Sequence, residues 1–173
     1  VLAMVSYPGY DNNKMANTVD AEYYAQLNAD KSSPQLNFAT QYKAAPGSTF
    51  KIVSATAGLL ENVINLQSRV NCVGTFTEIT PSPRCWKISG HGYENVTSAI
   101  KDSCNYFFYN VGYQLATRTG SYNEEAGLDT LSKYADLYGL TDKSGVEIGE
   151  YAPDVSTKDP VRSAIGQGSN SYT

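Results

Sequence analysis

The segment Ala45-Pro46-Gly47-Ser48-Thr49-Phe50-Lys51, running into Ile52-Val53-Ser54-Ala55-Thr56-Ala57-Gly58-Leu59-Leu60, constrains this chain more than any other. Pro46 and Gly47 break the backbone, and the apolar, helix-forming run behind them predicts a helix over 48–63. Ser48 then falls at or near the first turn, where unpaired N–H groups gather positive potential. Lys51 is three residues on, close to one turn, and returns to the same face. A serine hydroxyl is a poor nucleophile until a base removes its proton. A nearby amine, kept neutral by burial or by neighbouring cations, can be that base. The Ser-x-x-Lys spacing is common, and taken alone Ser48 reads first as a helix cap.

A second triplet changes the balance. Ser103-Cys104-Asn105 opens a helical pattern after Val96-Thr97-Ser98-Ala99-Ile100-Lys101-Asp102. By itself it reads as an N-cap followed by a satisfied asparagine. Ser-x-x-Lys followed downstream by Ser-x-Asn is far more specific, because serine acyl-transferring enzymes combine these motifs. The chain resembles the transpeptidase domain of class B penicillin-binding proteins, nearest the elongation-type, penicillin-binding-protein-2-like branch. The resemblance extends to Val5-Ser6-Tyr7-Pro8-Gly9-Tyr10-Asp11, Gly90-His91-Gly92, Tyr106-Phe107-Phe108, Gly145-Val146-Glu147-Ile148-Gly149-Glu150 and Ile165-Gly166-Gln167-Gly168.

The resemblance implies an α+β fold of the penicillin-binding-protein/serine β-lactamase-like type, of which residues 1–173 hold mostly the helical part and little of the central sheet. It implies that Ser48 attacks the penultimate D-Ala carbonyl of a peptidoglycan stem peptide and that Lys51 accepts its proton. Ser103 then relays a proton to the leaving amine. Asn105 holds the substrate backbone, with Gly166, Gln167 and Gly168 lining the substrate site. β-Lactams, as mimics of D-Ala-D-Ala, leave Ser48 acylated. A membrane glycosyltransferase of the elongation machinery is the expected partner, and the extracytoplasmic face of the bacterial membrane the expected location. Lys143-Ser144-Gly145 imitates the family's Lys-Thr/Ser-Gly triplet but precedes Gly166-Gln167-Gly168 and follows Thr141-Asp142, which reads as a turn. The chain is therefore expected to be a partial domain, lacking that triplet, its sheet strands and an N-terminal anchor with its module. Two other functions fit the same motifs. One is a β-lactam-sensing receptor domain. The other is a serine β-lactamase, although no Glu-x-x-Leu-Asn-like segment is present.

Net charge is −4, giving no electrostatic case for nucleic acid. No apolar run approaches membrane-spanning length. Residues 1–6 read as a buried strand, 21–27 as a turn of helix, and 69–74 and 76–79 as short strands. Two helices share 94–117 with a break near Ser103, and Cys104, Phe108, Val111 and Leu115 mark one face. A further helix over 127–138 carries Leu128, Leu131, Ala135 and Tyr138 on its apolar stripe and ends at Gly139. Residues 149–161 read as loop, leading to a helix start near Asn170. Tyr106, Phe107 and Phe108 fit core packing better than a substrate platform.

The chain's three cysteines and its single histidine all fall between residues 72 and 104. Cys72, Cys85, His91 and Cys104 form the ligand set of a closed structural zinc site. A Cys72–Cys85 disulfide, with Cys104 as a small core residue, fits a protein outside the cytoplasm, and free thiols are the third option. No cofactor is expected to take part in the chemistry itself.

Overall fold

A computed structural model describes residues 3–172, which divide into two compact units. The first comprises residues 3–43 and 143–152. It holds a 3-10 turn at Asn12–Lys14 and helix α1, Ala21–Ala29. The Asp20 carboxylate caps α1 by accepting the Tyr23 N–H at 3.0 Å. Lys143-Ser144-Gly145 belongs to this unit and has no regular secondary structure, with the Ser144 N–H donating to both Glu150 carboxylate oxygens at 3.0 Å.

The buried strand expected over 1–6 is not formed by its described part; Val1 and Leu2 lie outside the described residues. Ala3, Met4 and Val5 are exposed and take part in no ladder. The segment is tied down by a side chain instead: Ser6 Oγ donates to the Leu36 carbonyl at 3.2 Å and accepts the Phe38 N–H at 2.8 Å.

The second unit comprises Ala44–Asp142 and Pro153–Tyr172. A 3-10 turn, Gly47–Phe50, leads into α2, Lys51–Leu60. Strands β1, Val70–Cys72, and β2, Gly92–Glu94, pair antiparallel with Val70 opposite Glu94 and Cys72 opposite Gly92. Four helices complete the unit: α3, Val96–Lys101; α4, Asn105–Thr117; α5, Glu124–Leu137; and α6, Pro160–Ser163. The unit is mostly helical with one small sheet, as the sequence implies.

Helix α4 forms the centre of the core. Cys104, Phe108, Val111 and Leu115 are fully buried, as their spacing predicts, and so is Phe107 one position off that face. Val53 and Ala57 of α2, Leu131, Tyr134 and Ala135 of α5, and Val161 join them in one apolar cluster. Burying each Phe, Leu or Val here is worth about 1.5–3 kcal/mol. Phe107 and Phe108 are therefore core residues, and Tyr106 is half-buried.

Four local expectations fail for physical reasons. Residues 76–79 make no strand: Thr75 bridges Arg84 and Phe76 N–H reaches the Pro83 carbonyl, but Pro81 and Pro83 have no N–H to continue a ladder. Strand β2 is present where no strand was expected. The chain near Asn170 turns extended rather than helical. Its amide donates to the Ser163 and Gln167 carbonyls, while Ser171 bridges Asp154 and Tyr172 bridges Ala44. Finally, Tyr138 lies past the end of α5 and is half-exposed, its hydroxyl 2.8 Å from Thr56 Oγ1. Helix α6 begins at the end of the segment read as loop and runs past it, and its start signals were present: Asp159 caps the Arg162 N–H at 3.0 Å and Pro160 takes the first helical position.

Candidate active site

Ser48 lies within the 3-10 turn and Lys51 is the first residue of α2. A 3-10 turn has three residues per turn, so residues i and i+3 eclipse and the two side chains share one face. Ser48 does not cap: neither the turn nor α2 has a side-chain cap bond at its start. The hydroxyl is exposed, whereas Lys51 is only 2% exposed.

Ser103, Cys104 and Asn105 make the hinge between α3 and α4. Cys104 N–H donates to the Ala99 carbonyl at 2.9 Å and Ser103 N–H to the Ile100 carbonyl at 3.2 Å. These two bonds define a Schellman ending of α3, with Ser103 at the left-handed position that glycine usually takes. Its φ is +50°, a strain of about 1 kcal/mol for a residue with a Cβ. Cys104 is the N-cap of α4 and Asn105 its first residue. The triplet is therefore a helix–helix joint, and Ser103 ends one helix rather than capping the next.

The joint closes on Lys51. Its Nζ donates to the Ser103 carbonyl at 2.8 Å, to Ser103 Oγ at 2.9 Å and to Asn105 Oδ1 at 2.6 Å. Ser103 Oγ in turn donates to Ser48 Oγ at 2.9 Å. Three acceptors match the three N–H groups of an ammonium. The hydrogen bonds thus connect Ser48 to Lys51 through Ser103 Oγ. Burial pulls the lysine down to a pKa of about 8, against a smaller opposing pull from the Cys104 and Cys85 side chains. An ammonium that sheds its proton this readily is suited to be a base near neutral pH.

Gly166 is buried with φ +71°, and its carbonyl accepts the Gly47 N–H at 3.0 Å. A Cβ on Gly166 would lie 2.2 Å from the Gly47 carbonyl oxygen, so only glycine permits this approach. That contact sets the 166–168 segment against the turn holding Ser48. Of the three residues placed on the substrate side, Gln167 and Gly168 are exposed, while Gly166 is occupied by backbone packing.

The Cys72, Cys85 and Cys104 sulfurs and a His91 nitrogen all lie within 4.8 Å of one another. His91 Nδ1 is 3.5 Å from Cys72 Sγ and 3.6 Å from Cys85 Sγ. Around zinc, a sulfur and a nitrogen at ordinary ligand distances stand about 3.6 Å apart at tetrahedral angles. The three cysteines are not disulfide-bonded. Burial drives the Cys85 thiol upward, but N–H groups of Tyr106, Lys87 and Asn105 aimed at it bring it below its ordinary value. Burial pushes the Cys104 thiol well up. The donor set fits a soft divalent metal.

A family model for the penicillin binding protein transpeptidase domain matches residues 1–173. The chain belongs to this family. It is 35% identical over 152 residues to the peptidoglycan D,D-transpeptidase MrdA of Haemophilus influenzae, covering 87% of this chain and 22% of that protein. The chain thus spans about a fifth of the length of that curated relative. Helicobacter pylori penicillin-binding protein PBP2, solved in complex with MreC, superposes with a TM-score of 0.86 at 25% identity, over 98% of this chain and 33% of its own. A penicillin G acyl-enzyme complex of penicillin-binding protein A from M. tuberculosis superposes at 0.78 with 26% identity, over 99% of this chain and 40% of its own.

Within this penicillin-binding-protein domain, the fold brings together all four motif residues, Ser48, Lys51, Ser103 and Asn105, and separately all four thiol and imidazole groups. Cys104 links the two clusters. One neighbour escaped the sequence reading: Trp86 Nε1 donates to the carbonyls of Asp102 and Ser103 at 3.2 and 3.1 Å. Trp86 is the only tryptophan and follows Cys85, but nothing in the linear order connects it to Ser103.

Proposed function

We propose that the whole protein is a peptidoglycan D,D-transpeptidase whose nucleophile is Ser48, and that β-lactams inhibit it covalently. The observation that carries this reading is the hydrogen-bonded line Ser48 Oγ–Ser103 Oγ–Lys51 Nζ. With Lys51 neutral, the Ser48 proton passes to Ser103 Oγ as the Ser103 proton passes to Lys51. Ser48 Oγ forms the bond to the penultimate D-Ala carbonyl carbon. The terminal D-Ala amine leaves with a proton returned along the same line. An amine from a neighbouring stem peptide then takes the acyl group and frees Ser48, making the cross-link. In this reading Asn105, whose Oδ1 accepts from Lys51, offers its amide N–H to the substrate backbone, and Gln167 and Gly168 border it.

Cross-linking consumes newly made glycan strands, so a membrane glycosyltransferase is the fitting partner and the extracytoplasmic membrane face the fitting location. The experiment is labelling of the full-length protein with a fluorescent penicillin. Wild type is expected to carry a long-lived adduct and Ser48→Ala none. A Ser48-independent adduct would sink the assignment, and rapid release of the penicillin would mark a hydrolase instead.

A structural zinc on Cys72, Cys85, His91 and Cys104 is part of the same proposal. Four protein ligands leave no open position, so such a metal would supply rigidity, tying Cys104 and its neighbours Ser103 and Asn105 to the 72–91 segment. Metal analysis is expected to find one zinc per chain, lost in Cys104→Ser. No stoichiometric zinc together with a Cys72–Cys85 cross-link by mass would overturn it.

A further inference from the structure

We infer that Trp86 is a positioning residue for the acyl-transfer step, acting through the Ser103 carbonyl; the inference rests on the transpeptidase reading above. Ser103 must hold its hydroxyl between Ser48 and Lys51 while its backbone occupies a left-handed conformation, φ +50°. The N–H groups of this hinge are satisfied by the end of α3, through Ser103 to Ile100 and Cys104 to Ala99. Its carbonyls point past the helix, where no further backbone N–H of the helix can reach them. They are held instead by two side chains. Trp86 Nε1 spans the Asp102 and Ser103 carbonyls at 3.2 and 3.1 Å, and Lys51 Nζ takes the Ser103 carbonyl at 2.8 Å.

The two donors differ in what the reaction does to them. A neutral Lys51 keeps two N–H groups for three acceptors, so its hold on the hinge changes each time it gains or loses a proton. The indole N–H is a donor only and does not titrate. It keeps the Ser103 carbonyl in place throughout the cycle. The rest of the side chain fits this role. Trp86 is 61% exposed, so it is not there for core burial, and its ring meets the His91 ring in a T-shaped contact with centroids 5.1 Å apart, which fixes its direction. Residue 85, one position earlier, belongs to the thiol cluster, so the indole stands beside that cluster.

The test compares acylation of the full-length protein by a fluorescent penicillin, resolved into the dissociation constant of the first complex and the rate of acylation. Trp86→Phe keeps the ring and removes only the N–H. It is expected to slow acylation about tenfold, the effect of losing one or two modest hydrogen bonds, while the dissociation constant stays within about twofold. In a Ser103→Ala background, measured with an activated thioester, the same change is expected to have no further effect, because the hydroxyl it positions is gone. Acylation of Trp86→Phe at the wild-type rate overturns the inference alone. So does an equal loss with and without Ser103, which would make Trp86 a support for the loop in general. Absence of a Ser48 adduct in wild type overturns the transpeptidase reading and this inference with it.

Discussion

Helix α2 carries an unusual charge at each end, and the two ends differ in how that charge is treated. Lys51 opens the helix and Glu61 closes it, so both oppose the helix dipole. At the closing end the charge is stabilised. Glu61 accepts from Arg118 Nη1, from Lys133 Nζ at 2.8 Å and from Tyr134 Oη at 2.9 Å, which draws its pKa from 4.5 to about 2. The network joins α2 to α4 and α5. At the opening end, no carboxylate among the described residues pairs with Lys51. It has neutral oxygens for company and burial as its dominant influence. One end uses charge to hold helices together; the other keeps a charge under strain, ready to release a proton.

The widest separation between the ends is expected from Lys51→Met. Removing the base lowers Ser48 acylation by about 10²–10⁴-fold, while thermal stability stays level or rises, since a buried ammonium with no carboxylate partner is replaced by an apolar chain. A marked fall in melting temperature would mean that Lys51 is structural after all. Treating the full-length protein with a chelator, to strip the proposed zinc, comes next. It is expected to slow acylation by about 10–100-fold by loosening the hinge at Cys104, and to leave the Glu61 network intact. Unchanged acylation after proven metal loss would break the link between the thiol cluster and the opening end.

A smaller effect is the pH profile. With a pKa of about 8, Lys51 is mostly protonated at pH 7, with about one molecule in ten carrying the neutral base. Acylation should therefore climb about tenfold from pH 7 to 9 and level off above. A flat profile would show that Lys51 is not the titrating base. Glu61→Gln gives the smallest effect: a loss of about 1 kcal/mol at pH 7 with acylation unchanged. Because the folded pKa is depressed, this contribution is complete above about pH 4.5 and fades as pH falls toward 2. Wild-type and Glu61→Gln melting temperatures should converge over that window.

Much of the site was legible because its signals are local. Pro46-Gly47 before an apolar run marked the start of α2, and three-residue spacing put Lys51 on the face of Ser48. The i, i+4, i+7, i+11 series picked out the buried face of α4. Where local signals misled, a side chain or a proline had replaced a backbone ladder. Ser6 ties residues that looked like a strand, Asn170 takes over the hydrogen bonds of an expected helix, and two prolines end the pairing begun at Thr75. The fold brings Ser103 against Ser48 and Lys51, but its place in the chain's local structure was misread. It looked like the cap of the following helix and is the left-handed end of the preceding one, a conformation that Ser-Cys-Asn does not advertise.

By itself the sequence picked out the residues that the proposed chemistry draws on, a serine and lysine one turn apart and a second serine with its asparagine, and, apart from them, three cysteines and a histidine in one stretch. Only the tertiary structure decided how they work on one another. Folding α4 against α2 buries Lys51 and lowers its pKa, and no spacing in a linear chain encodes that loss of water. Packing also brings Ser103, 55 residues away, to 2.9 Å from Ser48, and sets the Trp86 indole on its carbonyl. These are long-range contacts, made by the burial of helices whose own sequences say nothing of one another.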